Sequence, residues 1–125
     1  MGLELFARES GPDGIRGDID EQGCLGIEGL VSAALGVALP EMRGRSRRAP
    51  AAFARQAAMY LAHVKLGLSL SEVGAYFGRD RTTVSHACSR MEDFRDDPRL
   101  ECVLDCVEAA LDHWRASGMA MGRQR

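Results

Sequence analysis

The chain has 125 residues, 46% of them hydrophobic and 27% charged, a size and balance suited to one domain with one core. No run of about 18 apolar residues occurs, which excludes a membrane-spanning helix, and the first twenty residues lack a basic start followed by an apolar block, so no signal peptide is read and a cytoplasmic location is expected. The net charge of −2 says little by itself, but residues 1–41 carry −6, residues 42–90 carry +7 and residues 91–125 carry −3.

In chain order, residues 1–24 are rich in glycine and acids without periodicity, and are expected to form a disordered acidic arm. From Leu25 the apolar residues Ile27, Leu30, Val31, Ala34 and Leu35 recur at helical spacing and stop at Gly36, which predicts a first helix. A short helix is expected from Pro40 to Arg43. Residues 44–49 then form a basic loop, and Arg43, Arg45, Arg47 and Arg48 cluster in a stretch that holds no acid between Glu41 and Glu72. Such a one-signed cluster suits phosphate oxygens, because a guanidinium donates two parallel hydrogen bonds and stays charged.

Pro50 is placed to open a long helix, where its missing amide costs nothing. Phe53, Ala57, Tyr60, Leu61 and Val64 are its expected buried stripe and Gly67 its end. Lys65, near that end, is a weaker phosphate candidate. Ser69 followed by Glu72 is a capping box, so a short helix begins there, buries Leu70, Val73 and Phe77, and closes at Gly78. Asp80 is available to cap the next helix, which buries Val84, Ala87, Cys88 and Met91. Its first turn, Arg81, Thr82 and Thr83, has nothing to offer a core. A polar helix tip behind a short supporting helix is the arrangement that places side chains in a DNA major groove. Pro98 breaks the chain after this pair. A last helix is expected through Trp114, with Leu100, Val103, Leu104, Val107, Leu111 and Trp114 on one side, and residues 117–125 are expected to be a flexible tail.

Cys24, Cys88, Cys102 and Cys106 lack the spacing of a zinc site or a secreted disulfide frame. Cys102 and Cys106 lie one helical turn apart, a spacing at which two thiols can share a metal. The neighbouring apolar residues favour the alternative, small buried side chains at Cys88 and Cys106. No metal site and no cofactor are expected.

The run VGAYFGRDRTTVSHA, together with ARQAAMYLAHVKLGLSLSEVG before it, resembles the C-terminal DNA-binding domain of the bacterial replication initiator DnaA, whose pattern is close to IGxxFGGRDHTTVxxA. The likeness extends over roughly residues 27–114, within an expected domain of residues 25–116. It implies an all-α, compact multi-helix domain built around a helix-turn-helix, with a Trp-repressor-like architecture. It also implies that Arg55 reaches into a minor groove and that Leu70 and Ser71 touch the DNA backbone or a thymine methyl. Gln56 is expected to support the turn. This chain departs from the pattern in having one residue fewer between Gly78 and Asp80 and in carrying Arg81 where the family has His.

The implied activity is binding to double-stranded DNA. Arg43, Arg45, Arg47, Arg48 and Arg55 are the expected clamp, and Asp80, Arg81, Thr82, Thr83, Ser85 and His86 form the reading end. His86 is expected at a phosphate more than at a base. No GxxxxGK[ST] loop occurs and His63, His86 and His113 are scattered, so no enzymatic activity is expected. Two readings follow. One is a stand-alone DnaA-like factor, lacking the ATPase module, that regulates replication initiation or transcription. The other is a protein-interaction module that contacts the initiator or another replication protein through the acidic arm or the Trp114 helix.

Overall fold

A computed structural model describes the backbone of residues 14–46 and 48–123, and the side chains of residues 21–46 and 48–117. Among these residues the fold is all helical: α1 (Gly14–Leu35), α2 (Leu39–Arg43), α3 (Ala49–Leu66), α4 (Leu70–Phe77), α5 (Arg81–Phe94) and α6 (Pro98–Arg123). No helix among them is long and apolar enough to cross a membrane.

The ends of the elements follow local chemistry. Gly36 closes α1, its amide donating to Ser32 O at 2.9 Å. Pro40 and Pro50 sit in the first turns of α2 and α3, where they forfeit no helical bond. In α4 the Ser69 oxygen accepts from the Glu72 amide at 3.0 Å, and the Ser69 amide donates to Glu72 Oε1 at 2.8 Å.

The central element is α3, which packs against each of the other five helices. Ala51, Ala54, Ala57, Ala58 and Ala62 are buried along it, and these small side chains let its neighbours approach closely. Around it close Cys24, Ile27 and Val31 from α1, Val84, Ala87 and Met91 from α5, and Leu104, Val107 and Leu111 from α6. With helices on so many sides, α3 buries more than the single stripe expected. Val64, expected in that stripe, is 43% exposed, because the side of the last turn that carries it is uncovered.

Three other expectations are corrected. The first helix begins at Gly14, well before Leu25, since its interspersed glycines and acids carry no apolar period to read. The last helix runs on through Arg123 instead of ending near Trp114, and Arg115 Nη1 donates to Lys65 O at 3.0 Å, satisfying a carbonyl at the end of α3. Residues 1–13 of the expected arm lie outside the described residues. Cys106 is exposed, as is Cys102, because α6 turns Leu104, Val107 and Leu111 inward and these thiols outward. Cys24 is buried and Cys88 half-buried. Among the described residues no group of three or more potential ligands gathers for a metal.

Trp114 remains 40% exposed and lies over Gly26 of α1, where an added Cβ would come within 2.7 Å of the indole. At the opposite end of α5, Arg95 ties three helices together. It donates to Tyr60 Oη at 3.0 Å, Glu101 Oε1 at 3.0 Å and Asp105 Oδ1 at 3.2 Å, and it also pairs with Glu108. Burial opposes its charge, but the bonds with Tyr60 and Glu101 outweigh that and raise its pKa.

Candidate nucleic-acid interface

Gly78 ends α4 with φ 70°, a left-handed geometry that glycine adopts without penalty. Two residues later Asp80 caps α5, its Oδ1 accepting from the Thr83 amide at 2.7 Å. That bond holds the Asp80 carboxyl below its ordinary pKa. Val84, Ala87 and Met91 face the core, so Arg81, Thr82, Thr83, Ser85 and His86 all stand exposed on the opposite side. Leu70 and Ser71, at the start of the supporting helix, are half-buried.

The basic loop lies beside this turn. Arg79, between Gly78 and Asp80, reaches across to donate from Nη2 to Gly44 O at 3.0 Å. The loop and the tip of α5 are therefore neighbours although 35 residues separate Gly44 from Arg79. Arg45 and Arg48 are exposed, and Arg48 also pairs with Glu41 at 2.8 Å, where its own side chain is 73% accessible. An exposed pair of that kind is weak enough to exchange for a phosphate. Arg47 lies outside the described residues.

Two residues expected at the DNA surface have partners inside the protein. Arg43 donates from Nη2 to Glu28 Oε1 at 2.9 Å and from Nε to Glu28 Oε2 at 3.3 Å, and Glu28 is only 3% exposed. Glu28 Oε1 also accepts from Tyr76 Oη at 3.0 Å. The hydrogen bond and charge of Glu28 raise the Arg43 pKa, while burial and then Glu28 push the Tyr76 phenol up. Arg43 thereby joins α2 to α1 and, through the shared carboxylate, to α4. Arg55 donates from Nε to Met42 O at 2.8 Å, and from Nη2 to Ser46 O at 3.1 Å and Glu41 O at 3.3 Å. Through these bonds it ties α3 to the end of α2 and to Ser46 of the basic loop. Burial and then the neighbouring Arg79 lower its pKa.

Lys65 pairs with Asp112 at 3.1 Å, which draws it toward α6. Gln56 supports α5 rather than the turn, its Oε1 accepting from Arg90 Nε at 3.3 Å. Arg79 and Arg90 were not singled out by the sequence pattern. Arg90 follows Thr82 and His86 at four-residue steps on the exposed side of α5, and that periodicity was its available signal. Arg79 has no such signal, since its partner is remote in the chain.

A short supporting helix, a tight glycine turn and a capped second helix with an outward polar tip define a helix-turn-helix domain. The model of the bacterial dnaA protein helix-turn-helix matches residues 26–91, and the chain belongs to that DNA-binding family. It is 32% identical over 97 residues to the chromosomal replication initiator protein DnaA of Acholeplasma laidlawii (strain PG-8A), covering 76% of this chain and 22% of that protein. The DnaA of Thermomicrobium roseum is 43% identical over 77 residues, 60% of this chain and 17% of the relative. That of Symbiobacterium thermophilum is 38% identical over 87 residues, 68% and 19%. The chain thus aligns with about a fifth of the length of these curated relatives.

Proposed function

We propose that this chain binds double-stranded DNA sequence-specifically, in the regulation of replication initiation or of transcription, and therefore acts on the chromosome in the cytoplasm. The observation that carries this reading is the exposed tip of α5, Arg81 to Thr83, held next to the arginine loop by the Arg79 bond to Gly44. Arg45 and Arg48 grip phosphates and supply most of the affinity and its salt dependence. Arg81 donates two bonds to a guanine edge, and the Thr82 and Thr83 methyls pack on thymine methyls. Asp80 accepts from a cytosine amine in addition to capping, and Ser85, His86 and Arg90 continue the contact along the groove.

The test is a titration of labelled random and origin-derived duplexes at two salt concentrations. Wild-type protein prefers one duplex and weakens steeply with salt. Arg81→Ala lowers the preferred-duplex affinity by roughly 5- to 150-fold, the equivalent of a lost base contact of about 1–3 kcal/mol, while random-duplex binding changes less. Arg45→Ala instead weakens both duplexes alike and reduces the salt slope by about 1. A flat salt response with no preferred duplex would refute the reading. It would favour the interaction module, for which the exposed Trp114 and the 49% exposed Leu25 on the next helix are the surface.

A further inference from the structure

Resting on the DNA-binding reading, we infer that Arg79 is a positioning residue that sets the basic loop against the reading helix, and that Gly74 is the residue that makes room for it. The turn before α5 is one residue shorter than the family pattern, and it passes flat against α4. The Arg79 amide donates to Gly74 O at 2.9 Å. The Arg79 carbonyl oxygen lies where a Cβ on Gly74 would come within 2.4 Å of it, so any side chain at position 74 displaces the turn. Arg79 is therefore fixed on both sides, by α4 through its own amide and by the Asp80 cap that follows.

From this fixed base the guanidinium reaches Gly44 O at 3.0 Å, with a longer bond to Gly78 O at 3.4 Å. Arg55 meets the same loop from α3 through the carbonyl of Ser46, and the end of α2 that leads into it through those of Glu41 and Met42. Two carbonyls of α2, Glu41 and Met42, and two of the loop, Gly44 and Ser46, thus bend around two guanidinium groups, and burial and then the charge of Arg79 lower the Arg55 pKa. The arrangement lines one wall of a cleft of about 380 Å³ between Met42, Tyr76 and Gly78. Two like charges are placed together here with carbonyl dipoles as their partners, and the outcome is geometric: the exposed Arg45 and Arg48 hold a set distance from Arg81. A clamp and a reading tip at a fixed separation engage one register of the duplex, which is a source of specificity that needs no base contact from Arg79 itself.

Two variants of the full chain test this. Arg79→Ala removes the bond to Gly44, and Gly74→Ala moves the turn without altering any charge. Without DNA, hydrogen exchange at the Gly44 amide, which donates to Pro40 O at 3.0 Å, is expected to quicken at least tenfold in Arg79→Ala while its melting temperature stays within a few degrees of wild type. With DNA, the ratio of preferred to random duplex affinity is expected to fall at least fivefold in both folded variants, with the salt slope unchanged. Unaltered exchange in Arg79→Ala overturns the inference whatever happens with DNA. So does a salt slope that falls by about 1 with the ratio held, because Arg79 would then grip a phosphate directly. Should wild-type protein prefer no duplex, the DNA reading fails by itself and the exchange result alone decides whether the Arg79 contact holds the loop.

Discussion

Replacing Glu28 tests whether Arg43 belongs to the framework or to the DNA surface. The carboxylate is 3% exposed and accepts two bonds from Arg43 and one from the Tyr76 hydroxyl. In Glu28→Ala the Arg43 side chain, 48% accessible, is free to rehydrate, so its share is discounted to the surface-pair range of about 1 kcal/mol. The half-buried Tyr76 hydroxyl loses its acceptor, at about 1–2 kcal/mol. The combined loss of about 2–3 kcal/mol corresponds to a fall of roughly 8–12 °C in melting temperature for a chain of this size. Thermal unfolding followed by circular dichroism measures it, with Glu41→Ala as the comparison. Glu41 faces the exposed Arg48, and its loss should cost less than about 1 kcal/mol. Glu28→Gln keeps an acceptor for Tyr76 and is expected to fall between the two. If Glu28→Ala melts within about 2 °C of Glu41→Ala, the buried junction contributes nothing beyond a surface pair and the reasoning is wrong.

Two further outcomes are expected. Met91→Ala, at a fully buried position on α5 against the core, should cost about 2–5 kcal/mol in urea unfolding, whereas Ser89→Ala on the exposed side should stay within about 0.5 kcal/mol of wild type. Asp80 has a folded pKa below its ordinary 3.8, so its charged cap contributes stability above that value and loses it as pH falls through the folded pKa. Wild type should thus exceed Asp80→Asn in stability at pH 6, with the difference shrinking in acid below that window. A difference that grows in acid contradicts the sign.

The caps and stops were open to reading because each is settled within a few residues. A serine oxygen reaches the amide three positions on, Asp80 does the same, and Gly78 carries its own permission for a left-handed turn. The inward side of α5 was legible for a related reason, since Val84, Ala87 and Met91 repeat at the period of a helix. The start of α1 and the end of α6 were not, because glycines and acids hide the period in one, and in the other Gly118 and Gly122 lie inside the helix without ending it.

The sequence by itself determined that a positively charged loop and a helix-turn-helix follow one another in the chain, for charge and capping are local properties. It did not determine which cations remain available to a ligand. Arg43 and Arg55 stand in the same basic stretch as Arg45 and Arg48, yet one is held by Glu28 and the other by carbonyls of α2 and of the loop. That division was decided by the tertiary structure, because a guanidinium on a long side chain takes whichever acceptor the folded chain brings near. Here those acceptors come from α1, from α2 and from Ser46 in the loop.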